Sequence, residues 1–267
     1  MPKRFLALLL SLTWSSWAST PVAAAPESTP GIFVTFTDPA DQGLSERVRD
    51  VAARMKTFAD QLENVPRVEI YLVRSARELS LRAGSETAAR VVPSYVHGGF
   101  FLLSPMVWPG NPTEEAIEHE VQQGLVLYAI SAAAGGNRLP AWLEQGLLAY
   151  LTRQELPPLT AGQVAQRAGL LLTRFEVAEP AVGYWAVKYL VDDHGGLAPL
   201  RQLLRLVAQR PDLFVDNFQL VYGASVGELE RGWRTWCQEI VEREEKRQKG
   251  GIQVGPLKPK PPAKPPL

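Results

Sequence analysis

Cysteine occurs once in this chain, at Cys237, so no intrachain disulfide is possible. The lone thiol lies in an aromatic helical stretch, RGWRTWCQEI, and reads as a packed core residue. A nucleophile role lacks support, because neither His97 nor His194 has a cysteine-protease context around it. Long apolar runs are also missing. The longest, within residues 5–17, is too short to cross a bilayer as a helix. No cysteine follows that run, which removes the acceptor for a lipid anchor. There is no internal repeat.

Net charge is absent overall but not locally. Of 28 basic residues, two lie within residues 1–25 and six within 246–267, and neither segment holds an acid. The remaining 20 face 28 acids, which leaves the body about −8. That balance argues against a nucleic-acid-binding core. Residues 1–25 combine Lys3 and Arg4, the apolar stretch FLALLLSLTWSSW and the small-residue zone PVAAAP. This pattern predicts a signal peptide cleaved near Ala24 or Ala25, and hence a periplasmic or extracellular protein. Residues 248–267, ending KPKPPAKPPL, predict a disordered, polyproline-like tail. Such a tail is either a solubilising terminus or a contact for an anionic envelope polymer.

Between these ends, residues 26–247 predict one α+β domain, with a small N-terminal sheet and a mainly helical C-terminal half. Residues 31–36 (GIFVTF) and 68–73 (VEIYLV) read as strands. Val48, Val51, Met55, Phe58 and Leu62 trace one face of a helix from about Ser45 to Glu63. A short helix is expected near 77–82. A third strand is expected within YVHGGFFLLSP, residues 95–105, where Gly98 and Gly99 allow a bulge or a close backbone approach. Thr113 predicts an N-cap, with Glu114 and Glu115 in the first turn of a helix running to about Ala133. Pro140 opens another through about Gln154. Further helices are expected near 161–174, 181–193, 197–209 and 225–247.

The helix from Thr113 contains HEVQQ at residues 119–123, half of an HExxH motif. In that motif two histidines one turn apart converge on zinc, and the glutamate between them polarises the metal-bound water. His119 and Glu120 fit the first ligand and the base. Gln123 stands where the second histidine belongs.

With the following helix, LPAWLEQGLLAY, the chain resembles the peptidase-MA-like group of gluzincins, whose HExxH helix precedes a helix of the form PxWLxEGxAxY. Pro140, Trp142, Leu143, Gly146 and Tyr150 match that form. VHGGFFLLSP, AVKYLVDDHGG and GASVGELERGWRTW are similar to the family's strand before the zinc helix, its downstream helix and its closing helix. The resemblance thus spans most of residues 31–245, although Pro180 to Gly183 depart from the downstream helix's usual start. It implies a zincin-like fold and makes the residue before Gly146 the third zinc ligand. That residue is Gln145.

Two of three implied ligands are therefore amides, and an amide oxygen is a poor substitute for imidazole or carboxylate at zinc. Glu144 is a candidate replacement ligand, but one residue rotates a helical side chain by about 100° away from the face of Gln145. His97, on the strand expected to border the cleft, and His194, at a helix end, are further candidates. His119 is alternatively an ordinary helix histidine, and Trp142 and Tyr150 read as core anchors.

The leading expectation is an exported, zinc-degenerate pseudopeptidase that needs no cofactor. It would hold a peptide or protein in the former cleft by strand addition along residues 95–103, with Gln123 and Gln145 bonded to each other. One alternative is a zinc-dependent metallopeptidase with unconventional ligands. Another is an inert envelope scaffold that binds through its basic tail.

Overall fold

The computed structural model describes residues 31–83, 89–110, 112–154, 156, 160 and 180–250. The expected leader, the helix expected at 161–174 and tail residues 251–267 lie outside the described residues. The fold is α+β, a four-stranded mixed sheet followed by a helical half.

Strands β1 (Gly31–Phe36) and β2 (Arg67–Val73) pair in parallel around helix α1 (Gln42–Asp60). The helix starts three residues earlier than its apolar spacing suggests. The Asp38 side chain accepts from the Ala40 N–H at 2.8 Å, and this starts a 3-10 turn that leads directly into α1. Helix α2 (Ala76–Ala83) follows β2. Strands β3 (Val91–Ser94) and β4 (Gly99–Leu103) complete the sheet in the order β1-β2-β4-β3, with β3 antiparallel to β4.

β4 is therefore an interior strand, hydrogen-bonded to β2 on one side and to β3 on the other. Strand addition along residues 95–103 is ruled out, because 99–103 have no free edge and 95–98 form the turn before them. Among the described residues the edge strands are β1 and β3, and β3 was not foreseen in the sequence. Its ladder begins with Leu103 N–H donating to Arg90 C=O at 2.8 Å. Alternation from that pair turns the N–H and C=O of Val91 and the C=O of Pro93 outward. Proline sits there without losing a ladder bond. Gly99 has the predicted close approach, since a Cβ would overlap the Glu69 backbone.

Helix α3 (Glu114–Ala133) is capped as expected, with Thr113 Oγ1 accepting from the Ala116 N–H at 3.2 Å. It is shared between two cores. Val121, Leu125 and Tyr128 pack on the sheet with Val51, Ile70 and Phe100. Val126 and Ile130 pack with Trp142 and Leu143 of helix α4 (Ala141–Leu151). Helix α5 (Pro180–Asp193) crosses α4 at a pair of glycines. A Cβ on Gly146 would overlap the Gly183 carbonyl, and one on Gly183 the Trp142 carbonyl. The Gly183 departure noted in the sequence is thus a packing requirement. α4 stops at Leu151 rather than Gln154 because Arg153 turns left-handed (φ 55°), letting the Gln154 N–H bond back to Ala149 C=O at 2.9 Å.

Helices α6 (Leu197–Gln209), α7 (Phe214–Tyr222) and α8 (Val226–Gly250) close the helical core. α7 was not foreseen. α8 carries residues 248–250, so the expected tail begins no earlier than 251. Cys237 is buried in this core, and burial pushes its thiol up to about 12. No helix among the described residues is long and apolar enough to cross a membrane.

Candidate functional site

The candidate site is built on the first two turns of α3. Helical spacing puts His119 and Gln123 on the continuation of the stripe that carries Val126 and Ile130 into α4. Just past Gln123, Gly124 lies against the Phe100 ring, where a Cβ would overlap it, so the helix sits close on the sheet. The N-terminal turn is tied to α1 by exposed ion pairs, Arg47 with Glu114 and Arg54 with Glu118 at 2.6 Å. Such pairs contribute at most about 1 kcal/mol each, so they orient the turn more than they hold it.

His119 is exposed, and its Nε2 accepts from Gln123 Nε2 at 2.8 Å. With the amide nitrogen as donor, the imidazole proton lies on Nδ1 and the bond occupies Nε2. The predicted bond between Gln123 and Gln145 is thus replaced by one within α3. Gln123 reaches His119 because residues four apart are stacked on one helix face.

Glu120 is mostly buried and pairs with Arg90 across to β3. Nη1 lies 3.4 Å from its carboxylate, with the guanidinium 4.5 Å above the Trp108 ring. Arg90 was not foreseen as a site residue, since it lies 30 positions upstream of Glu120 and belongs to no motif. Only the register of β3 brings the two together.

On α4, Glu144 has no hydrogen-bond or ion-pair partner among the described residues. Burial raises its pKa above the ordinary carboxylate value, opposed only by the charge of Arg138. Gln145 occupies the next position round, half-buried.

The other two histidines lie elsewhere. His97 sits between Tyr71 and Phe101, with ring centroids at 5.8 and 5.3 Å, and its Nδ1 meets Ser94 Oγ at 2.7 Å. Those rings lie on the face of the sheet opposite Phe100 and α3, so His97 does not serve as a replacement ligand. His194 is wedged between Tyr189 (4.7 Å) and Tyr222 (6.2 Å) at the end of α5, where burial lowers its pKa and keeps it neutral. Trp142 is fully buried, edge-on to Phe218 at 6.4 Å, and is the core anchor that the sequence suggests.

Among the described residues, no three His, Cys, Asp or Glu side chains group closely enough to hold a metal ion. The residues at the α3–α4 face do not fit the zinc centre that the resemblance implies. Their one imidazole is bonded to an amide, and amides fill the other two positions. The arrangement presents neutral donors and acceptors, the His119 Nδ1–H and the two glutamine amides, which match the polarity of a peptide backbone. Comparison with family models, curated proteins and solved structures finds no match to this chain.

Proposed function

We propose that this is an exported, zinc-degenerate relative of the peptidase-MA-like gluzincins that binds an extended peptide or protein segment without cutting it. One observation carries the reading. The metal-facing nitrogen of His119 is bonded to Gln123, so the two positions of the motif satisfy each other in the absence of an ion. Losing an outer partner of a metal ligand already costs about 10- to 100-fold in affinity or activity, and replacing two direct ligands costs more. The peptide would lie along β3, whose outer edge offers one donor at Val91 and acceptors at Val91 and Pro93, with α3 packed beside the strand. Export rests on the leader-like pattern of residues 1–25.

The test is elemental analysis of the purified chain from residue 26, alongside cleavage of an unfolded protein substrate. The expected result is zinc well below one per chain and no cleavage sensitive to Glu120→Gln. One tightly held zinc per chain, or cleavage that this substitution abolishes, overturns the reading.

Glu144, partly buried and without a hydrogen-bond or ion-pair partner among the described residues, favours a second reading, a metallopeptidase in which it replaces the missing third ligand. In that case Glu144→Gln would remove both metal and activity.

A further inference from the structure

Glu120, like His119, survives unchanged from the motif, yet its surroundings are not those of a general base. Such a base needs a free lone pair within hydrogen-bond reach of the water it deprotonates. Here Arg90 Nη1 stands 3.4 Å from Oε1, engaging one of the two carboxylate oxygens, and only 15% of the Glu120 side chain is exposed.

The guanidinium is held from two directions. The Arg90 carbonyl accepts the Leu103 N–H at 2.8 Å, which fixes the backbone in register with β4. Its guanidinium lies over the ring of Trp108, which is 6% exposed and anchored by Nε1–H donating to Leu103 C=O at 2.9 Å. Strand, tryptophan and carboxylate thus form a connected unit around the Glu120 side chain.

We propose that Arg90 is a second, independent block on hydrolysis, a positioning residue that keeps Glu120 in an ion pair and away from any water beside His119. This rests on the reading of the α3–α4 face as a former peptidase centre. Its consequence is that restoring the metal ligands does not by itself restore a reaction. The loss of function is spread over Arg90, just before β3, as well as α3 and α4.

Two measurements test it. The first is a double-mutant cycle of Arg90→Met and Glu120→Gln in the otherwise natural chain, read by urea unfolding. The two substitutions are expected to be non-additive by about threefold in the unfolding constant, as for a partly exposed ion pair. Strict additivity overturns the proposal. Arg90→Gln, which keeps a neutral donor, serves if the Met variant does not fold. The second compares Gln123→His with Gln145→Glu, with and without Arg90→Met, for zinc content and cleavage of an unfolded protein. The two-residue variant is expected to take up zinc without cleaving. Adding Arg90→Met should then raise zinc-dependent cleavage at least about tenfold, a part of the roughly 10²- to 10⁴-fold that a positioned general base contributes. Equal cleavage in both overturns the proposal. If the two-residue variant takes up no zinc, the former-peptidase reading falls, while the cycle still decides whether Arg90 holds Glu120.

Discussion

Two polar regions of this fold are built on opposite terms. At one end, Asp41 is fully buried and accepts from Arg74 at 3.1 and 3.3 Å and from Ser104 Oγ at 2.8 Å, while Arg74 also meets Asp38 at 2.8 Å. These residues follow β1, β2 and β4, so one carboxylate ties three strand ends together. Asp41 and Ser104 are partnered and out of water, which is how a buried polar group becomes neutral or favourable in free energy. Along α3 and α4, His119 is exposed with a single bond, Glu120 has one contact at 3.4 Å, and Glu144 is partly buried with no hydrogen-bond or ion-pair partner among the described residues. The first centre is explained by stability alone. The second leaves donors, acceptors and a carboxylate uncompensated, as a surface shaped by binding or by lost chemistry does.

The sharpest contrast should come from Asp41→Ala, which leaves the Ser104 hydroxyl proton without its acceptor in the interior and opens a void. A loss of about 2–3 kcal/mol is expected in urea unfolding, from the orphaned hydroxyl and the missing bonds. A loss below about 0.5 kcal/mol, the level of an ordinary surface substitution, would erase the distinction between the two centres.

Glu144→Gln should act in the opposite direction. The folded-state pKa of Glu144 is raised by burial, so the favourable contribution of its protonated form is complete below the ordinary value of 4.5 and is lost as pH rises through the raised value. The amide variant should therefore unfold at higher urea than the natural chain at pH 7 and lose that advantage below pH 4.5. A pH-independent difference would show that Glu144 has a compensating partner.

His119→Ala should have the smallest effect, within about 0.5 kcal/mol, because it removes one exposed hydrogen bond. A larger loss would make the HEVQQ turn a structural element like the Asp41 centre.

Much of this fold can be read from periodicity. β1 and β2 are bounded by their β-branched runs, and α3 by Thr113 and the Gly135–Gly136 stop. β3 escaped because VVPS is four residues long with a proline inside, which is tolerable only where that residue faces the open edge. α7 escaped because Phe214, Phe218 and Tyr222 span just two turns behind Pro211. At the site, the i,i+4 relation of His119 and Gln123 is visible in the sequence, but the partner that Gln123 takes depends on rotamers that spacing does not fix. Arg90 could not be found by motif at all, since its meeting with Glu120 depends on the pairing of β3 with β4. Glu144 carries the reverse lesson. Its position suggested a ligand, and its distinctive property, partial burial without a hydrogen-bond or ion-pair partner among the described residues, appears only in three dimensions.

The measurement closest to the central claim is the zinc content of the natural chain after purification without added metal, set beside that of the Gln123→His, Gln145→Glu variant. Amides at both ligand positions predict far less than one zinc in the natural chain and close to one in the variant. A natural chain that already carries one zinc through chelator treatment would contradict the account, because some other donor would then complete the centre at His119.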